Sequence, residues 1–178
     1  MTKEKRLPFD PVAEAARHWQ ERWPGTERMA AATAIMRAQQ IVLARVDAAL
    51  AEVGLTFARY EALVLLHFSR TGQLPLGKMG LRLQVHPTSV TNAIDRLEAE
   101  GLVRRIPSPT DRRTTLAGIT PRGREVVERA TELVAASGFG LGSLGAADLA
   151  ARGGRVRILA HQRRHVEGDR EARLAVLQ

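Results

Sequence analysis

Between residues 86 and 113 the chain gathers side chains that can read or hold a polyanion. Val90, Ala93, Ile94 and Leu97 recur at three-and-four spacing and make one apolar stripe. Thr88, Ser89, Thr91, Asn92, Asp95 and Arg96 are left on the opposite side. In a nucleic-acid groove, Asn can bond adenine through two contacts and Arg can do the same with guanine. Hydroxyls and the free amides of a helix N-terminus hold phosphates. The helix faces alone are explained equally well by an ordinary surface helix, because Ser and Thr are common near caps.

The segment after that helix favours the nucleic-acid reading. Leu102-Val103-Arg104-Arg105-Ile106 alternates like a strand, and Ser108-Pro109-Thr110-Asp111 is rich in turn formers. Thr114-Thr115-Leu116-Ala117 can return as a second strand, which makes a hairpin with Arg104 and Arg105 on one arm and Arg112 and Arg113 behind the turn. An Arg at such a tip reaches the minor groove, where narrow A·T-rich DNA concentrates negative potential. A solvated basic turn is the plain alternative, and a hairpin placed directly behind a groove-reading helix weighs against it.

The elements that must position these groups can be traced along the chain. Asp10-Pro11 caps a first helix that Pro24-Gly25 stops near Trp23, with Val12, Ala15, Ala16 and Trp19 on one face. Thr26 is the next cap, and nothing breaks a helix from there to Val53, about 40 Å at 1.5 Å per residue. Met36, Leu43 and Leu50, with Val46 and Val53, give it a stripe too long for one small core, so part of it should meet another chain. Gly54 ends it. Thr56 is expected to cap a helix to about Arg70 with Tyr60, Leu63, Val64 and Phe68 inward. Leu74-Pro75-Leu76 reads as short and extended, Lys78–Leu83 as a brief helix, and His86-Pro87 opens the groove-reading helix, which Gly101 closes. Thr120-Pro121 starts a helix to about Ser137. A glycine-rich break comes next, then a last helix over about 146–166 that Gly153-Gly154 weakens. The expected fold is mainly α with a small β-hairpin wing: a winged helix-turn-helix flanked by N- and C-terminal helices.

Residues 56–123 resemble the multiple antibiotic resistance regulator (MarR) family. The resemblance rests on Val85-His86-Pro87-Thr88-Ser89-Val90-Thr91-Asn92, on Asp95-Arg96-Leu97-Glu98-Ala99-Glu100-Gly101-Leu102-Val103-Arg104-Arg105, and on Asp111-Arg112-Arg113 with Ile119-Thr120 at the spacing of the family's wing signature. It implies a homodimer of winged-helix domains that binds a near-palindromic site on double-stranded DNA, acts most often as a repressor, and is released by a small anionic aromatic effector. By the same resemblance Thr88, Ser89, Thr91, Asn92 and Arg96 become base- and phosphate-contacting candidates, and Asp111, Arg112 and Arg113 the wing, with Asp111 orienting its Arg rather than touching DNA. The helix at 10–23 is similar to an extension in the urate-responsive subgroup, which makes Trp19, Glu61 and Arg105 candidate ligand contacts. The subgroup's other Arg falls on Ala93 here, and Trp19 has a plainer account as a core or interface aromatic.

Composition bounds these readings. The chain has 178 residues, a net charge of +8 and no cysteine, which excludes a disulfide framework, a thiolate metal site and a thiol switch. With 44% hydrophobic residues it is globular, and with no long apolar run or signal-peptide core a cytoplasmic protein is expected. The order reads as a tail at 1–9, an extra helix and long dimerisation helix at 10–54, the winged helix at 55–120, dimerisation helices at 121–167 and a tail at 168–178. An enzyme is not expected: no nucleophile–base pair or paired acids stand out, and Gly138–Gly145 lacks the Lys-Ser/Thr ending of a phosphate loop. Nor is a cofactor or metal. His161 and His165 are spaced for joint ligation, but Arg163 and Arg164 between them repel a cation. A protein-binding winged helix and a non-specific DNA-compacting protein remain the rivals.

Overall fold

The computed structural model describes residues 7–109, 111, 114–142 and 144–145. The chain divides into two compact units, 1–140 and 141–178, and all the described helices and strands belong to the first. The expected helix at 146–166, His161, His165, Gly153-Gly154, the tail from 168, and Arg112 and Arg113 lie outside the described residues.

Helix α1 (Pro11–Gln20) begins as its cap signal predicts, with Asp10 Oδ1 accepting from the amides of Val12 at 2.8 Å and Ala13 at 3.4 Å. The link to α2 (Thr26–Leu50) turns on Gly25, whose φ of 79° is left-handed. Gly25 therefore holds the cap position expected of Thr26, which is the first helical residue. The long helix also ends earlier than expected. Ala51–Val53 tighten into a 3-10 turn, and Gly54, with φ 72°, closes it.

Helix α3 (Phe57–His67) starts at Thr56, yet Thr56 makes no side-chain cap. Asp47, ten residues upstream on α2, accepts from the Phe57 amide at 2.7 Å. The helix stops short of Arg70, and Phe68 is 79% exposed rather than inward. The reason is angular. The buried stripe runs through Ala62, Leu63 and Leu66, and a residue two beyond Leu66 lies about 200° round the helix.

Strand β1 (Gln73–Pro75) precedes α4 (Leu76–Leu83) and α5 (Pro87–Ala99), and β2 (Val103–Pro107) and β3 (Thr115–Ile119) come after them. The expected hairpin is present as β2–β3, but β1 joins it. The antiparallel sheet has order β1-β3-β2, with Leu74 opposite Ala117 and Ala117 opposite Arg105. Pro75, at the end of an edge strand, is where a residue without an amide proton is tolerated. Helix α6 (Pro121–Ala136) is capped by Thr120 Oγ1, which accepts from the Gly123 amide at 3.0 Å.

One core joins these elements. Leu50 of α2, Leu63 and Leu66 of α3, Met79 of α4, Ile94 and Leu97 of α5, Val103 of β2 and Val127 and Val134 of α6 are fully buried. Ile94→Ala is expected to lower unfolding free energy by about 3 kcal/mol, read from the denaturant midpoint. Ser89→Ala, on the exposed side of the same helix, should stay within about 0.5 kcal/mol. A loss under about 1 kcal/mol for Ile94→Ala would mean that α5 is not anchored through this face.

Candidate nucleic-acid interface

Helices α4 and α5 meet through a tight turn at Gln84, Val85 and His86, with Gln84 left-handed at φ 55°. His86, which opens α5 with Pro87, is its cap. Its Nδ1 accepts from the Thr88 amide at 3.3 Å and lies 3.1 Å from Thr88 Oγ1. The underside of α5 is closed by Val90, Ile94 and Leu97, while Thr88, Ser89, Thr91, Asn92, Asp95 and Arg96 are all exposed. Burial of one side thus holds the whole candidate set on the other. Thr91 Oγ1 donates to Pro87 O at 3.2 Å, so its free lone pairs suit it to accept from a base or a water.

The wing lies directly behind. Alternation along β2 sends Arg104 outward, where it is exposed. Arg105 shares the inward side with Ala117 and Leu74, both buried. The turn is held by Asp111: its Oδ2 accepts from Thr114 Oγ1 at 2.7 Å, and its carbonyl accepts from the Thr114 amide at 3.0 Å. The Arg residues that Asp111 is expected to orient fall outside the described residues.

Arg105 does not stand free. Its Nη2 donates to Asp95 Oδ1 at 2.6 Å, its Nη1 to Glu98 Oε2, and its backbone amide to Glu98 Oε1 at 2.9 Å. The backbone and guanidinium donors of Arg105 hold the Glu98 carboxyl below the usual carboxylate range. Sequence reasoning had these three residues in view but not their contact, because nothing in a one-dimensional pattern says which way β2 faces. A second link, also missed, ties Arg59 of α3 to Glu100 at the end of α5 and to Gly54 O at 2.8 Å.

Trp19, Glu61 and Arg105 are not joined by any contact among the described residues. Trp19 Nε1 donates to Pro24 O at 3.0 Å, and its ring lies 4.9 Å from that of Trp23. Glu61 is half-buried on α3, and burial raises its pKa. Beside α3, a cavity of about 490 Å³ is lined by Gln39, Val42, Leu43, Val46 and Asp47 of α2, by Thr56, Phe57 and Ala58, and by Phe139. None of the three candidates lines it. Among the described residues no cluster could hold a metal ion, and no helix is long and apolar enough to cross a membrane.

The MarR family profile matches residues 55–115, the segment that carries the α4–α5 turn, α5 and the first strand of the wing. Over a much longer span the chain is similar to Sco5413, a MarR family transcriptional regulator from Streptomyces coelicolor. The two are 53% identical over 82% of this chain and 98% of that one, with a TM-score of 0.69. This chain belongs to the MarR family. Sco3205, a MarR family regulator from the same organism solved in complex with DNA, is 27% identical over 78% of this chain and 89% of its own, with a TM-score of 0.68. Among curated proteins the similarity to MarR-like regulators is shorter. YhbI, an HTH-type transcriptional regulator of Bacillus subtilis (strain 168), is 35% identical over 81 residues, 46% of this chain and 53% of YhbI. The chain spans about half the length of the curated relatives it matches. These relatives are named as regulators of transcription and not as enzymes.

Proposed function

We propose that this MarR-family chain regulates transcription as a homodimer, most simply as a repressor, by binding a near-palindromic site on double-stranded DNA. One observation carries the reading. The exposed side of α5 is made of hydroxyls, Asn92 and Arg96, the opposite side is locked into the core, and a basic wing stands next to it. In this reading Thr88, Ser89, Thr91, Asn92 and Arg96 enter the major groove, and Arg112 and Arg113 form the wing contact, with Asp111 orienting its Arg rather than touching DNA. The dimer is supported by α2. Only Val46 and Leu50 of this 25-residue helix are buried, while Ile35, Met36 and Ile41 remain exposed. A two-fold dimer presents two α5 helices and so favours a near-palindrome.

Release by a small aromatic effector belongs to the same proposal, with its anionic charge taken from the resemblance to the MarR family. The apolar cavity at Val42, Leu43, Val46, Phe57 and Phe139 supports an aromatic body. Its one charged lining residue is the acid Asp47, so a cation for the anion must come from outside that lining. Such a ligand changes DNA affinity only by binding one conformer better.

The test is a gel shift on the DNA upstream of the protein's own gene, with and without a panel of aromatic anions. Specific binding should exceed that to a scrambled duplex by about 10³-fold, and equal binding to both would favour DNA compaction. Asn92→Ala should relax preference at one base position by about 1–3 kcal/mol while leaving the rest of the site intact. An unchanged preference profile would show that Asn92 does not read a base.

A further inference from the structure

Asp95 poses a problem for a DNA-facing α5. It lies one turn beyond Thr91 and Asn92 on the same exposed side, and a bare carboxylate there repels phosphates. Glu98, three residues on, adds a second negative charge. Both are met by one residue of the wing. Arg105 reaches from β2 to Asp95 Oδ1 at 2.6 Å and to Glu98 Oε2, and its own amide is fixed on Glu98 Oε1 at 2.9 Å. Its side chain is 30% exposed, against 53% for Asp95, so the guanidinium lies between the helix and the strand, not on the outer surface.

We infer that Arg105 is a positioning residue for DNA reading: it neutralises Asp95 on the reading side of α5 and, through Glu98, fixes the wing strand to that helix. This rests on the proposed reading of α5 as the DNA-facing element, and it gives Arg105 a role distinct from contact with an effector or a phosphate. A planar guanidinium can serve two carboxylates at once, which a Lys ammonium on its flexible stem does less well. Two consequences separate this role from a direct contact. Removing the Arg should be repaired by removing the acid that it masks. Removing it should also leave the number of released counterions nearly unchanged, because no phosphate loses its partner.

The experiment measures affinity of the full chain for a labelled duplex selected by the wild type from a random pool, at several salt concentrations. The variants are Arg105→Gln, Asp95→Asn, their combination and Arg105→Lys, each checked by thermal unfolding. Arg105→Gln is expected to weaken binding about tenfold. Asp95→Asn in that background should restore affinity to within about threefold of wild type, a larger gain than it gives in the wild type. Arg105→Lys should fall between wild type and Arg105→Gln, and Asp95→Asn added to it should again raise affinity. This second pair carries the test if Arg105→Gln does not fold. Loss of affinity without rescue, with a salt slope smaller in magnitude by about two, one for each copy in the dimer, would assign Arg105 to a phosphate and overturn the inference. Unchanged affinity in Arg105→Gln would overturn it too while leaving the reading of α5 in place. Failure of the wild type to select any duplex would remove that reading, and the inference with it.

Discussion

Replacing Gly123 with alanine is expected to lower unfolding free energy by about 4 kcal/mol or more, one of the larger losses a single methyl group can cause. Gly123 lies in the first turn of α6, where that turn packs against Leu102 in the link from α5 to β2. A Cβ built there would lie 2.1 Å from Leu102 O and 2.9 Å from Ile119 Cγ1. The first neighbour is backbone and cannot swing aside. It is also committed, since Leu102 O accepts from the Thr120 amide at 3.0 Å and from Thr120 Oγ1 at 3.1 Å. Relief requires α6 to move outward by about 1 Å, and that shift pulls Val127, Ala130 and Val134 away from the core they fill. Gly77→Ala is the matched control. It lies in α4 with nothing within 4 Å of the added Cβ, and should be neutral or stabilising by up to about 1 kcal/mol. Urea denaturation at one fixed protein concentration reads both variants, because self-association would otherwise shift the midpoint. A loss below about 1 kcal/mol for Gly123→Ala would mean that the start of α6 is free to adjust.

The same contacts show where the sequence was readable. Helix α5 was legible because two independent signals coincide there: Pro87 behind a capping residue, and an apolar stripe at three-and-four spacing whose members Val90, Ile94 and Leu97 are all buried. Strands β2 and β3 were legible by alternation. Strand β1 as a sheet member was not, since three residues carry no period and its partner β3 is more than forty positions away. Thr56 holds the cap position of α3 as its type and place suggest, but its side chain makes no capping bond, and the Phe57 amide is met by a carboxylate on the preceding helix that no local pattern indicates. Phe68 looked inward because it is large and apolar, whereas the helix had already rotated it to the far side of Leu66.

The candidate site divides along the same line. Exposure of Thr88, Ser89, Thr91, Asn92 and Arg96 follows from the period of one helix. The state of Arg105 does not, because it depends on the side of β2 that packs toward α5. Counting charges along the chain gave the segment 82–113 six Arg residues against four acids. The fold regroups them. Arg105 is bound to Asp95 and Glu98, and Glu100 is bound to Arg59 of α3. What remains exposed, with no carboxylate partner among the described residues, is Arg82 on α4, Arg96 on the reading side of α5 and Arg104 on the outer side of the sheet.

That regrouping fixes the expected salt response. Affinity for a specific duplex should fall about 10³-fold between 50 and 200 mM monovalent salt, with log K linear in log[salt] and a slope near −5. Three cations per lobe, Arg96 of α5 and the proposed wing contacts Arg112 and Arg113, doubled by a two-fold dimer, neutralise about six phosphates, and each releases roughly 0.9 counterion from B-DNA. A fourfold rise in salt then weakens binding by about three decades. Arg96→Gln should reduce the slope by about two units in a dimer, one for each copy. The net charge of +8 does not by itself predict this, since a charge far from the duplex releases no counterions. A slope near −1 would mean that α5 and the wing do not lie along the phosphate backbone. No retention at low salt would turn the winged helix toward a protein partner, where the exposed Asn92 and Arg96 would have to find carboxylates or carbonyls instead.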